Sequence, residues 1–324
     1  MHRVKFFLGL LIMALSACSP TELTAQPEET LAIKNVATAT EKAIPTRTAN
    51  LEGLIAFYSD MDGNPEIYIM QADGSDLLRL TNDPAFDDSP ALSPDGSQVV
   101  FLSARDDPDP TFPNLKYEIY LVDSDGENLR RMTETEMGED HPAWSPDGER
   151  ILFDADYDGD GFYEIYTLDA DGTNLIRLTE NAANDQFGDW SPDGQQIAFS
   201  SDRNGNWDIF VMDADGDNQQ TLTDNSDWEL FPAWSQDGMR IAFDGLVPNT
   251  GNTDVFVMNA DGSEIIQLTD TPGFDENPAW SPDGSLIAFQ TQRDGNFEIY
   301  LMNPDGSEQY PLMDLSSDEL WPSW

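Results

Sequence analysis

The chain runs to 324 residues and carries 62 acidic against 15 basic side chains, a formal net charge of −47 at pH 7. That balance repels phosphate backbones and excludes nucleic acid as a partner. With 39% apolar residues there is material for a packed core, while one cysteine and two histidines rule out an intrachain disulfide and any histidine-rich metal cluster.

In chain order, His2, Arg3 and Lys5 precede the apolar run 6–15, the build of a secretory signal and too short for a spanning helix. We assign residues 1–17 to that signal. The stretch Leu15-Ser16-Ala17-Cys18 resembles the bacterial lipobox, and the resemblance implies that Cys18 is lipidated and becomes the mature N-terminus. A multiply acylated cysteine holds a protein stably on a membrane surface. Residues 18–50, rich in Thr, Ala, Glu and Pro, read as a flexible tether. The expected product is a monomeric lipoprotein facing the periplasm or the extracellular space, touching the membrane through its anchor alone.

From residue 51 to 324 one pattern recurs. Ser-Pro-Asp-Gly or a close variant begins at Ser93, Ser145, Ser191, Ser235 and Ser281, about 44–52 residues apart, a period that suits a four-stranded blade. Each repeat continues with an apolar strand (Ile55-Ala56-Phe57 through Ile287-Ala288-Phe289). An acid-led strand follows (Glu66-Ile67-Tyr68 through Glu298-Ile299-Tyr300), then an Asp-Gly turn and a strand ending in Leu-Thr. The remaining strand is the Pro-Ala-Trp block, as in Pro142-Ala143-Trp144, and Pro322-Ser323-Trp324 supplies the copy that the first repeat lacks. The fold expected is all-β: a six-bladed propeller of four-stranded blades, closed by the C-terminal strand completing the N-terminal blade, which leaves no long unpaired sheet edge.

These blocks resemble those of the TolB-like propeller family over roughly residues 52–324. The resemblance implies that the Pro-Ala-Trp strand lines a central channel. Three residues before each Pro or Gly of that block stands an acid: Asp87, Glu139, Asp185, Glu229, Asp275 and Glu319. On that placement, six carboxylates surround one channel mouth and attract a cation, a basic peptide or an amine; alternatively, each acid caps its own turn. Between acid and Pro lie residues that differ from blade to blade: Ser89, His141, Phe187, Phe231, Asn277 and Trp321. Variation on a repeating scaffold marks these as candidates for ligand contact.

Asp156-x-Asp158-x-Asp160-Gly161, with Glu164 at position nine, resembles the calcium loops of integrin-type propellers, in which hard oxygen ligands wrap one Ca²⁺ ion. The same residues also suit an ordinary turn, because Glu164 belongs to the acid-led strand shared by all repeats. No Gly-x-Ser-x-Gly nucleophile elbow is present, and His141 is the only imidazole outside the leader. We therefore expect a non-catalytic envelope scaffold that binds a protein or peptide, a cationic one by charge. The alternative is a receptor or lyase-like module for a small molecule or glycan at the channel mouth.

Overall fold

The computed structural model describes residues 53–107, 115–135, 137–248, 250–313 and 315–324. The signal segment and Cys18 lie outside the described residues. The described chain forms six antiparallel four-stranded sheets. Five blades are continuous in sequence. The first joins Leu54–Ser59, Glu66–Gln71 and Leu78–Arg79 to the distant strand Glu319–Ser323. The closure expected from the displaced Pro-Ser-Trp copy is therefore observed, with Tyr58 opposite Leu320 and Ser59 opposite Glu319.

The strands are short because the period leaves room for only about five or six residues between turns. The second and third strands of each blade are buried almost throughout. Alternate side chains of one strand face opposite neighbours, so both faces of every blade are covered. Ile55 and Phe57 pack on Leu286, Ala288 and Leu301 of the sixth blade, whereas Ala56 and Tyr58 pack on Val99 and Phe101 of the second. Four more interblade clusters complete the circuit. Phe57, Phe101, Phe153, Phe199, Phe243 and Phe289, the last residues of the Ile-Ala-Phe blocks, are almost fully buried.

A second repeating device ties the acid-led strand to the Leu-Thr strand. In the first blade Glu66, fully buried, accepts a hydrogen bond from Thr81 Oγ1 at 2.6 Å and an ion pair from Arg79 at 2.7 Å. Thr81 Oγ1 in turn accepts the Ile67 amide at 2.9 Å. The third blade repeats this with Glu164, Thr179 and Ile165, which explains why acid and threonine recur together.

The inner strands, Asp87–Leu92, Glu139–Trp144, Asp185–Trp190, Glu229–Trp234, Asp275–Trp280 and Glu319–Ser323, surround the channel. Each is an edge strand interrupted by a bulge. The register with the second strand shifts between Asp88 and Ala91, between Asp140 and Ala143, and at the equivalent places elsewhere. The proline of the Pro-Ala-Trp block falls in this break, where an absent N–H costs no ladder hydrogen bond.

Candidate functional site

The bulge decides what the channel presents. Its first residue takes a left-handed backbone in every blade: Ser89 (φ 47°), His141 (52°), Phe187 (59°), Phe231 (53°), Asn277 (53°) and Trp321 (56°). Bulky residues seldom adopt this conformation, which costs of order 1–3 kcal/mol per position and persists where surrounding structure enforces it. All six line one cavity of 810 Å³ running along the inner strands. The residues singled out by their variation are thus brought together.

Four of them meet in ring contacts and form an aromatic floor. The His141 ring lies 4.3 Å from Phe187 and 5.2 Å from Trp321, Phe231 lies 4.0 Å from Phe187, and Phe231 lies 5.1 Å from Trp321. These side chains come from the third, fourth, fifth and first blades, so they reach across the channel. Above them the wall is mainly proline, alanine and tryptophan, and among the described residues no lysine or arginine lines it.

His141 is held from behind. Its Nδ1 lies 3.0 Å from Asp154 Oδ1, and Asp154 also accepts the Phe187 amide at 3.1 Å and Gln186 Nε2 at 3.0 Å. Burial disfavours the imidazolium, but the carboxylates of Asp154, Asp140 and Asp88 outweigh it and raise the His141 pKa. Burial likewise lifts Asp88 to about 6 and raises Asp140, which Asp154 and Asp88 push further. The floor thus rests on acidic groups that share one imidazole.

The six carboxylates expected around the mouth are elsewhere. Asp87, Glu139, Asp185, Asp275 and Glu319 are fully buried, Glu229 nearly so, and none lines the cavity. The bulge lies two residues beyond each and turns the following side chains toward the channel, leaving these acids within the blades. They alternate in chemistry. Asp87, Asp185 and Asp275 pair with Arg105, Arg203 and Arg293 at 2.9, 2.8 and 3.2 Å. The glutamates instead take neutral donors. Glu139 accepts from Thr133, Thr135 and Tyr157 at 2.7, 2.8 and 2.7 Å, Glu229 from Thr223 and Asn225, and Glu319 from Ser317 and Ser59. Without a cationic partner, burial raises Glu139 and Glu229 to about 7 and Glu319 to about 8.

The Ser-Pro-Asp-Gly turns at the other end of the inner strands reach the cavity through Pro94, Pro146, Pro192, Gln236 and Pro282. Each of these residues is followed by an exposed aspartate, Asp95, Asp147, Asp193, Asp237 or Asp283. Donors within the turn lower their pKa values: the Ser97 hydroxyl first for Asp95, which falls to about 2, and the Ser145 hydroxyl first for Asp147. In the sequence this motif is legible only as a repeat marker. Asp189, the one acid to replace the wall residue of the Pro-Ala-Trp block, is a second functional candidate, signalled by the departure Gly188-Asp189-Trp190.

In the loop of the third blade, carboxylate oxygens of Asp156, Asp158 and Asp160 lie within 4.8 Å of one another. Asp156 Oδ2 accepts the Gly161 amide at 3.0 Å, while its Oδ1 is buried without a partner. Asp158 pairs with Arg177 at 2.8 Å. Glu164 does not join this group: it is buried and takes Thr179, the Asn181 amide and Arg177 as partners.

The family model for the TolB beta propeller domain matches residues 111–247 and 229–318. The TolB homolog of Chlorobium chlorochromatii is 36% identical over an alignment of 133 residues, gaps included, that covers 31% of this chain and 30% of the relative. An uncharacterised protein of Agrobacterium fabrum is 33% identical over 102 residues, 31% of this chain and 35% of the relative. The chain therefore spans about a third of the length of these curated relatives. TolB from Acinetobacter baumannii superposes with a TM-score of 0.71 at 24% identity, over 85% of this chain and 67% of that one, a likeness of fold. On its repeats, its six closed blades and the extent of the family match, the chain belongs to the TolB beta propeller domain family.

Proposed function

We propose that this chain is an exported, lipid-anchored envelope protein whose propeller binds a protein or peptide partner in the channel cavity and performs no catalysis. The observation that carries the reading is the aromatic floor. A repeating scaffold places five different kinds of residue in a left-handed conformation at one position, and the four rings among them meet across the cavity. Strain retained at a variable position points to ligand contact rather than packing. The relatives named TolB, and the lipobox-like Leu-Ser-Ala-Cys18, support the envelope setting.

A photoreactive amino acid at Gln236, on the cavity lining, gives a discrete protein adduct in intact cells under this reading. The same group at Ile266, exposed on the outer edge of the fifth blade, gives none. Equal labelling from both positions, or labelling from Ile266 alone, sinks it.

We also propose that Asp156, Asp158 and Asp160 hold one Ca²⁺, supported by their converging oxygens and by the unpartnered Asp156 Oδ1. Calorimetric titration of chelator-treated protein then shows one binding event. At calcium about a hundredfold above Kd, Tm rises by roughly 5–10 °C. Asp156→Asn removes both effects. Absence of heat and of any shift in the unaltered protein rejects the calcium loop.

A further inference from the structure

The fourth blade is where the cavity wall departs from its repeat. At the wall position two residues past the bulge the other blades carry Ala91, Ala143, Ala233, Ala279 and Ser323, whereas the fourth carries Asp189. The strand is fitted to hold it. A Cβ at Gly188 would come within 2.6 Å of Leu152 Cδ2, so this inner strand sits too close to the third blade for the proline found elsewhere. The amide of Trp234, on the neighbouring inner strand, donates to Asp189 Oδ2 at 2.7 Å and fixes the carboxylate.

Around it the wall is largely apolar; among the described residues no lysine or arginine lines the cavity, and its one imidazole, His141, is engaged by Asp154 Oδ1 at 3.0 Å. This half-buried carboxylate has no lysine or arginine beside it in the wall to balance its charge. We propose that Asp189 is the specificity-determining residue of the cavity, and that it recognises a primary ammonium whose apolar body packs on the proline and tryptophan walls. An ammonium fits better than a guanidinium, because one carboxylate oxygen is already engaged and a planar fork needs both. The exposed aspartates of the turns raise the local concentration of cations near the cavity. Burial lifts Asp189 to about 7, so it is partly protonated until a cation arrives. The inference rests on the reading of the cavity as the binding site.

The ammonium has two sources, a lysine of a peptide or a free amine, and the test separates them. Calorimetric titration reads the occupancy of the cavity, since an indole ligand masks the emission of the lining tryptophans. The protein is titrated with Ac-Pro-Lys-Phe-NH₂, with the same peptide carrying norleucine for lysine, and with tryptamine. The lysine peptide binds about tenfold more tightly than the norleucine peptide, and the preference disappears in Asp189→Asn and Asp189→Ala. Asparagine keeps an acceptor for the Trp234 amide, so the Asn variant separates loss of charge from loss of fold.

In the unaltered protein the preference grows between about pH 6 and about pH 8 as the carboxylate ionises. Tighter tryptamine binding assigns the site to small amines, tighter peptide binding to lysine side chains, and both support the proposal. Equal affinity for the lysine and norleucine peptides overturns it, and leaves the partner-binding reading standing if Gln236 still yields its adduct. Loss of the adduct with a retained lysine preference instead overturns that reading and spares the ammonium site.

Discussion

Deleting residues 319–324 lowers Tm by roughly 10–20 °C and shifts the protein toward aggregates, more than any single substitution does. The deletion removes a whole strand of the first blade and bares the edge of Leu54–Ser59, which is buried from Ile55 onward. It also removes Leu320 from the core between the first and second blades, Trp321 from the cavity floor, and the contact of Ser59 with Glu319, which joins residues 260 apart in sequence. The remaining blades keep their internal pairing, so loss begins at the seam and spreads to neighbours that depend on both faces being covered. Thermal unfolding followed by circular dichroism, with gel filtration, checks this. A truncated protein that melts within about 2 °C of the intact one would show that the five continuous blades carry the stability alone.

Arg203→Met destabilises the protein by about 3–5 kcal/mol, because it strands a buried carboxylate. Asp185 is fully buried and receives Arg203 through 2.8 Å contacts to both oxygens, with Ser201 Oγ at 2.5 Å. The guanidinium also lies over Phe210 at 4.7 Å and Phe199 at 5.4 Å, contacts that methionine replaces only in part. Adding Asp185→Asn to Arg203→Met recovers much of the loss, since a neutral amide tolerates burial better than an unpaired charge. Chemical denaturation of the two single variants and the double variant measures the coupling. A double variant no more stable than Arg203→Met alone would place the effect in the aromatic contacts rather than the ion pair.

The blade count, the strand order and the closing strand were legible because the repeat writes each strand with its own residue types. Two apolar residues and a Phe, Ile-Ala-Phe in four copies, read as an interior strand when they return six times, five of them after a Ser-Pro-Asp-Gly turn or its Gln variant. Backbone conformation was not legible. Nothing in Asp-Gln-Phe or Glu-Leu-Phe announces that the third residue turns left-handed, yet that turn sends Phe187 and Phe231 into the channel and leaves Asp185 and Glu229 inside the blades. The arginine partners were readable in principle. Arg105, Arg203 and Arg293 each stand two residues after a hydroxyl-bearing Ser103, Ser201 or Thr291, in alternate blades, and each answers an aspartate rather than a glutamate. That Asp156, Asp158 and Asp160 converge without Glu164 was not legible either, because it depends on the buried hydrogen-bond partners of Glu164.

Glu229 and Phe231 stand two residues apart on one inner strand, the first within the blade and the second on the cavity floor. Calorimetric binding of the peptide segment recovered from the Gln236 adduct, measured for Phe231→Ala and Glu229→Gln, asks directly whether the cavity is the ligand surface. Phe231→Ala weakens binding by about thirtyfold or more, as removal of a central aromatic contact does, while Glu229→Gln changes it by less than about twofold. Loss of binding in Glu229→Gln with Phe231→Ala unaffected would return the function to the ring of carboxylates and contradict the cavity as the site.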